Sequence, residues 1–241
     1  MESMKQKIAA LLALAGNEGA TEAEASLAAE RAQEMMLKYG ISLAEITMND
    51  TAATRIGADS VRFTTEIGEW RIRLADGVVR SVGGQLVITS GSWNYETNRK
   101  GQDFTFICPE GTAESCLDLY KWLEAQLALT SSEAMKRREE TWVHGRTWRR
   151  SWLVGASLRI ANRMCRKYEE AKQDETTGTA LVLMHDAVQD KMHELFGMIR
   201  TRKSNVGNLN GEAYRKGQSA GSTMDLGGGK VSSGGRKALP A

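Results

Sequence analysis

Proline and cysteine are both scarce in this sequence, which has two prolines and three cysteines among 241 residues. The cysteines, Cys108, Cys116 and Cys165, are far apart and odd in number, so they indicate neither a disulfide framework nor a C-x-x-C zinc site. No apolar run approaches the roughly 20 residues that a membrane-spanning helix needs. We therefore expect a globular protein of a reducing cytoplasm, with no membrane partner.

The net charge of +2 is the small difference between regions of opposite charge. Residues 1–60 carry five Lys and Arg against nine Asp and Glu, whereas residues 136–172 carry eleven against four and residues 200–241 eight against two. Positive charge that is concentrated in this way is typical of a protein with a polyanionic partner. A solvated basic surface gives the same pattern, and on charge alone it is the preferred interpretation.

The N-terminal part of the chain is predicted to form a helical hairpin. Residues 4–15 place apolar side chains at helical spacing. Thr21 begins a second helix, with Glu24 three positions later as a capping box requires, and Gly40 is a typical helix stop. Ser42 opens a further short helix. Lysines before an apolar stretch also fit a signal peptide, but the stretch is alanine-rich and periodic, which favours a mature helix.

The segment KIAALLALAGNEGATEAEASLAAERAQEMMLKYGIS resembles the DUF2786 family, an N-terminal helical module of bacterial, phage and some fungal proteins. Three later stretches resemble the α+β domain of unknown function that often follows this module: WRIRLADGVVRSVGGQ, SWLVGASLRIANRM and TALVLMHDAVQDKMHELF. The resemblance implies this fold, a phage or bacterial origin and, for a phage protein, location in the host cytoplasm. It implies no activity, cofactor or catalytic residue.

The sequence after the hairpin predicts an α+β domain. Two-residue alternation predicts a strand in VRFTTEI, and short apolar runs predict further strands in QLVITS, DFTFIC and ALVLM. Helical periodicity predicts long helices over residues 111–139 and 147–172, and shorter helices over 69–82 and after ALVLM. The predicted fold class is therefore α+β, with a small, mainly antiparallel sheet and long helices. The predicted segments are a helical hairpin at 1–48, an α+β domain at 61–199 and a flexible, glycine-rich basic tail at 200–241.

The pentapeptide GQSAG fits the G-x-S-x-G nucleophile elbow of α/β-hydrolases. An elbow needs an apolar strand before the serine, and the sequence before Ser219 is polar. In α/β-hydrolases the catalytic histidine follows the serine, whereas His144, His185 and His193 all precede it. The sequence therefore favours a structural role over a catalytic one for this pentapeptide.

The same residues fit a helix that contacts another helix closely. A helix that starts near Gly211 would place Tyr214, Gly217, Ala220 and Gly221 on one side. Small residues at these positions would let a second backbone approach.

Cofactor motifs are not supported either. GGGK lacks the other residues of a phosphate-binding loop, because residue 224 is Met and residue 231 is Val. His185 and His193 lack the i, i+4 spacing of a zinc-binding helix. We therefore predict no cofactor and no metal.

One flank of the helix predicted over residues 147–172 combines guanidinium groups with indole rings. Guanidinium groups neutralise phosphates, and flat rings stack on bases. This flank predicts a nucleic-acid interface formed by Trp148, Arg149, Trp152, Arg159, Arg163 and Arg166. In the alternative interpretation, the indoles cap the core and the arginines pair with acidic residues of the hairpin.

The expected function is non-enzymatic nucleic-acid binding, in phage DNA metabolism or regulation if the resemblance extends to origin. Weak attraction would come from four further cations: Lys203, Arg215, Arg236 and Lys237. One alternative is a phage factor that inhibits or modulates a host or defence protein through its acidic, methionine-rich hairpin. Another is an unrecognised hydrolase that uses Ser219 or His185. Exposed tryptophans would make a homo-oligomer plausible.

Overall fold

The computed structural model describes residues 2–15, 17, 20–49, 56–63, 68–94, 99–201 and 206–224. These residues form seven helices and three strands, in the order α1 (Glu2–Ala15), α2 (Glu22–Asn49), β1 (Ile56–Phe63), α3 (Glu69–Arg80), β2 (Gln85–Asn94), β3 (Arg99–Pro109), α4 (Ala113–Lys136), α5 (Gly145–Ala171), α6 (Glu175–Phe196) and α7 (Gly211–Thr223). The predicted α+β class is confirmed. Among these helices, none combines the length and apolar character needed to cross a membrane.

The three strands form one antiparallel sheet in the order β1-β3-β2. β3 is the central strand, and its Phe106 lies opposite Leu86 of β2. Because successive residues of a strand point to opposite faces, Phe106 and Ile107 face different layers. Phe106 packs on Tyr120 of α4, with ring centroids 5.8 Å apart, whereas Ile107 belongs to a buried cluster with Val188 of α6. Helices α4 and α6 therefore cover opposite faces of the sheet.

The predicted strand ALVLM is wrong, because these residues lie inside α6. Leu181, Met184 and Val188 are buried, and their spacing is that of one helix face. Val182 and Leu183, which lie between Leu181 and Met184 in the sequence, are exposed on the opposite side. A short apolar run does not distinguish a strand from a helix segment by its own pattern, which is the reason for the error.

Helix α2 runs without a break, so the predicted stop at Gly40 and the separate helix from Ser42 are wrong. Gly40 serves close packing instead. A Cβ built on it would lie 3.3 Å from Pro109 Cγ and 3.5 Å from Met184 Sδ. Any larger side chain would push the end of β3 or α6 away from α2.

Side chains fix the starts of three helices. The capping box predicted at the start of α2 is confirmed, since the Thr21 N–H donates to Glu24 Oε2 at 2.9 Å and the Glu24 N–H donates to Thr21 Oγ1 at 3.3 Å. Asp174 accepts from the Thr177 N–H at 2.9 Å before α6. Asn210 accepts at 2.8 Å from the N–H three residues later, before α7. Each side chain satisfies a donor that the helix itself leaves unpaired.

The hairpin of α1 and α2 shares its core with the following domain. Ile8 and Met36 belong to the same buried cluster as Tyr120 of α4. The side chain of Gln33 donates to the Met164 carbonyl of α5 at 3.1 Å. The boundary predicted at residue 48 therefore divides sequence segments but does not divide the hydrophobic core.

Candidate nucleic-acid interface

The two indoles predicted to stack on bases lie in the core. Trp148 is 1% exposed and Trp152 is 2% exposed. The Trp148 indole N–H donates to Glu140 Oε2 at 3.0 Å. A buried ring has no free face for a base, so the predicted stacking role of these two residues is wrong.

Helix α7 covers this side of α5. A Cβ built on Gly217 would overlap the carbonyl oxygen of Trp152, and one on Gly221 would lie 2.7 Å from the carbonyl oxygen of Ala156. The close helix contact expected from the GQSAG glycines is therefore confirmed. Residues 211–223 form a packed helix, so the prediction of a flexible tail is wrong for this part of the chain.

Two of the predicted phosphate-binding arginines hold α7 in place. Arg159 Nε donates to Ser222 Oγ at 2.7 Å. Arg163 Nη1 donates to the carbonyl oxygens of Gly221, at 2.8 Å, and Met224, at 2.6 Å. The two bonds from Arg163 satisfy carbonyl oxygens at the end of α7, where the helix leaves them without internal partners. Arg159 and Arg163 are thus already committed to protein groups.

The remaining two predicted arginines differ from each other. Arg149 joins α5 to α4, because its Nε donates to Ser131 Oγ at 3.1 Å and its Nη2 donates to the Ala128 carbonyl at 3.3 Å. Arg166 stays on the surface, where its Nε lies 3.4 Å from Glu170 Oε1. An exposed pair of this kind contributes little and would exchange readily for a phosphate.

The geometry gives the hydrolase alternative no support. Ser219 is exposed on α7, and in the described part of the chain no hydrogen bond joins it to a histidine. His185 lies inside α6 and not at the expected strand–helix junction, and its Nε2 is 3.5 Å from Gln189 Nε2. Within the described ranges, no group of three or more His, Cys, Asp or Glu side chains could hold a metal ion.

The turn between α4 and α5 exposes a different indole. Trp142 is 77% exposed. Lys136 and Arg137 precede it at the end of α4, Arg146 follows in the first turn of α5, and all three cations are exposed. Across the residues that the structure describes, none of the three forms an ion pair with a carboxylate. We call Lys136, Arg137, Trp142 and Arg146 the corner surface.

Glu140 anchors this turn from the inside. Its side chain is buried, and it accepts hydrogen bonds from Trp148 of α5 and from the ammonium group of Lys216 of α7. The bond from Lys216 is the main reason that the pKa of Glu140 falls to about 2, although burial opposes the shift. Because a buried carboxylate is costly without such partners, the turn is tied firmly to α5 and α7.

Two further bonds fix the backbone that follows Trp142. Arg138 Nη1 donates to the Val143 carbonyl at 3.1 Å. His144 is the N-cap of α5, and its Nδ1 accepts from the Arg146 N–H at 3.3 Å. A ring held on a constrained turn loses less conformational entropy when it binds a partner than a ring on a loose loop.

The charge around the corner surface is positive. Residues 136–150 contain six Lys and Arg and two Glu, and one of those two, Glu140, is matched by Lys216. Arg215, predicted to add attraction from the tail, is exposed on α7. Three further predicted cations lie outside the described residues: Lys203, Arg236 and Lys237.

Trp142 was not predicted as a site residue, because it precedes α5 and does not lie on the apolar face of any predicted helix. The available signal was an aromatic residue outside every amphipathic pattern, within the basic stretch KRREETWVHGRTWRR. Such a residue has no core position to occupy, which favours exposure. Trp148 and Trp152 follow helical spacing, which is typical of core residues.

Comparison with known proteins identifies only the N-terminal segment. Residues 3–43 match the DUF2786 family, described as a protein of unknown function. This match confirms the resemblance stated for the N-terminal segment, and it covers α1 and most of α2. No curated protein and no solved structure matches the chain.

Proposed function

We propose that this chain, which carries a DUF2786 segment at residues 3–43, is a non-enzymatic nucleic-acid-binding protein that binds through the corner surface. The observation that supports this proposal is the exposed ring of Trp142 among three exposed cations that have no carboxylate partner in the described residues. A role in phage DNA metabolism or regulation is part of the same proposal and depends on the family resemblance alone.

The combination favours single-stranded nucleic acid. Stacking on a tryptophan needs an unpaired base, and such stacking contributes roughly 1–3 kcal/mol per base. Lys136 and Arg137 precede Trp142 in the chain and Arg146 follows it, and these exposed cations would neutralise phosphates next to the stacked base. Both interactions are independent of sequence, so we propose binding with little sequence preference.

A binding assay tests the proposal with three variants. Trp142→Ala and Arg146→Ala change the corner surface, and Arg166→Ala changes the exposed flank of α5 that the sequence predicted. A fluorescein-labelled, mixed-sequence single strand of DNA is titrated with protein at low and moderate salt, and anisotropy gives the Kd. Trp142→Ala should raise the Kd roughly tenfold, which is the expected loss of one stacked base. Arg146→Ala should raise it less, and Arg166→Ala should leave it nearly unchanged.

The outcomes separate the two candidate surfaces. A larger increase in Kd for Arg166→Ala than for Arg146→Ala would show that nucleic acid binds to the exposed flank of α5 and not to the corner surface. Absence of binding by the wild-type protein at low salt, to DNA and to RNA alike, would end the proposal of a nucleic-acid-binding function. Circular dichroism of each variant shows whether the fold is intact.

A further inference from the structure

An apolar groove runs between α1 and α2. Its floor consists of aliphatic and thioether side chains: Ala10, Leu11, Leu14 and Met35. The groove encloses about 590 Å³, and Leu14 remains 44% exposed. An open apolar groove of this shape suits the apolar face of a helix.

The rim of the groove is positively charged. Lys7 and Arg31 line it together with one acidic residue, Glu34. Glu34 is bound by the ammonium group of Lys167 from α5, so its charge is already matched. A helix that fits the groove should therefore carry acidic groups beside its apolar residues.

The outer face of α6 has this composition. Val182 and Leu183 are 49% and 43% exposed, and Asp186 and Asp190 are exposed on the next two turns. At 100° per residue these four side chains lie within about 100° of the helix circumference. In the described part of the chain, neither aspartate forms an ion pair.

The two surfaces also agree in length. Leu14 and Lys7, which both line the groove, are seven residues apart on α1, or about 10 Å. Val182 and Asp190 are eight residues apart on α6, or about 12 Å. An α6 helix that places Val182 near Leu14 would bring Asp190 near Lys7.

We infer that the groove between α1 and α2 binds α6 of a second copy of this chain. The α6 of the same chain cannot fill it, because that helix already packs on α2 through Leu181 and Leu37. The contact joins two different surfaces, so it is heterologous, and repetition of the contact builds a ring or an open chain of subunits. A single helix in one groove is a small interface, and the association is weak.

Charge reversal on each side tests the inference. One variant carries Lys7→Glu and Arg31→Glu in the groove, and the other carries Asp186→Lys and Asp190→Lys on α6. Sedimentation velocity is measured up to a protein concentration of about 1 mM, because weak association is expected. The wild-type protein should form dimers and larger species, and each variant alone should need a concentration at least about tenfold higher.

Mixing the two variants gives the decisive measurement. In the mixture the reversed groove meets the reversed α6, and the unchanged groove meets the unchanged α6. Both contacts are attractive, so association should return to the wild-type level. A control variant with Lys121→Glu and Lys172→Glu carries the same charge change on exposed lysines elsewhere, and it should associate like the wild type.

Several results would overturn the inference: a wild-type protein that stays monomeric over the whole range, variants that associate like the wild type, or a mixture that remains monomeric. If a reversal prevents folding, the milder pair Lys7→Gln and Arg31→Gln replaces it and should shift association in the same direction. None of these measurements involves nucleic acid, so the inference and the proposed function are tested separately.

Discussion

Gly217 of α7 faces the backbone of Trp152 so closely that a Cβ at residue 217 would overlap the Trp152 carbonyl oxygen. The contact is reciprocal one turn away, where a Cβ on Gly155 of α5 would overlap the carbonyl oxygen of Tyr214. Both helices therefore contribute a glycine to their crossing. The absence of two side chains lets α7 cover α5 and bury the indoles beneath it.

Replacing Gly217 with alanine should destabilise the protein. Alanine improves helix propensity by about 1 kcal/mol over glycine, whereas inserting a methyl group against a fixed backbone costs roughly 1–3 kcal/mol or more. Because the new methyl group would overlap a carbonyl oxygen, the steric cost of Gly217→Ala should lie at the upper end of this range. We therefore expect the free energy of unfolding to fall by about 2 kcal/mol. Thermal or urea denaturation followed by circular dichroism measures it.

Gly211→Ala is the matched control in the same helix. A Cβ at Gly211 has its nearest neighbour at 3.7 Å, in the flexible side chain of Arg215. This variant should be as stable as the wild type or slightly more stable. Equal stability of the Gly217 variant and the control would show that α7 does not pack against α5 as described.

The sequence predicted local structure well and tertiary partners poorly. The spacing of Tyr214, Gly217 and Gly221 indicated a helix with one small face, and the structure confirms it. The run ALVLM was assigned to a strand because a short apolar run fits either element. Its burial on one side, against Leu37 of α2 and Tyr168 of α5, is a tertiary feature that no local pattern reveals. Gly40 looked like a helix stop because a glycine used for close packing has the same sequence signature.

The candidate site was predicted in composition but not in position. A basic, tryptophan-rich region was identified, and its exposed part is the turn before α5, at Trp142. The face of a helix that meets solvent depends on which other helices pack there. Helix α7 follows α5 by about 40 residues, so its docking over Trp148 and Trp152 could not be inferred from the periodicity of α5 alone.

The buried carboxylate of Glu140 should make the stability of the fold depend on pH in the acid range. Its pKa is about 2 in the folded protein and lies near its ordinary value of about 4.3 in the unfolded chain. A depressed pKa stabilises the fold fully above the unfolded value, and this contribution is lost as the pH falls from about 4.5 towards 2. Denaturation of the wild type should therefore become easier over this interval.

Glu140→Gln removes the titrating group and should reduce the slope of stability against pH between about 4.5 and 2. At neutral pH this variant should also be less stable, because Lys216 loses its closest carboxylate partner. Glu139→Gln changes the exposed neighbour, whose carboxylate lies 4.0 Å from Lys216, and should have little effect. An unchanged slope in the Glu140 variant would place the acid sensitivity in another group.

Arg146→Ala should lower the salt dependence of nucleic-acid binding. Each phosphate contact adds about 0.7 to the slope of log K against log salt concentration for a single strand. Loss of one such contact should reduce the slope by about that amount and weaken binding similarly for all sequences. Lys172→Ala, which removes an exposed cation just after α5, is the control and should keep the wild-type slope. Equal slopes for both variants and the wild type would exclude Arg146 from phosphate contact.

Iodide quenching of tryptophan fluorescence should distinguish the exposed indole of Trp142 from the buried indoles of Trp148 and Trp152. Iodide reaches rings at the surface, and the cations around Trp142 attract it further, so Trp142→Phe should remove much of the quenchable emission. Trp148→Phe should leave the quenchable part unchanged, because that ring is sealed in the core. Addition of saturating single-stranded DNA should then protect the wild-type emission from iodide, since a stacked base covers the ring of Trp142. Binding that leaves this emission fully quenchable would mean that the nucleic acid contacts the protein elsewhere.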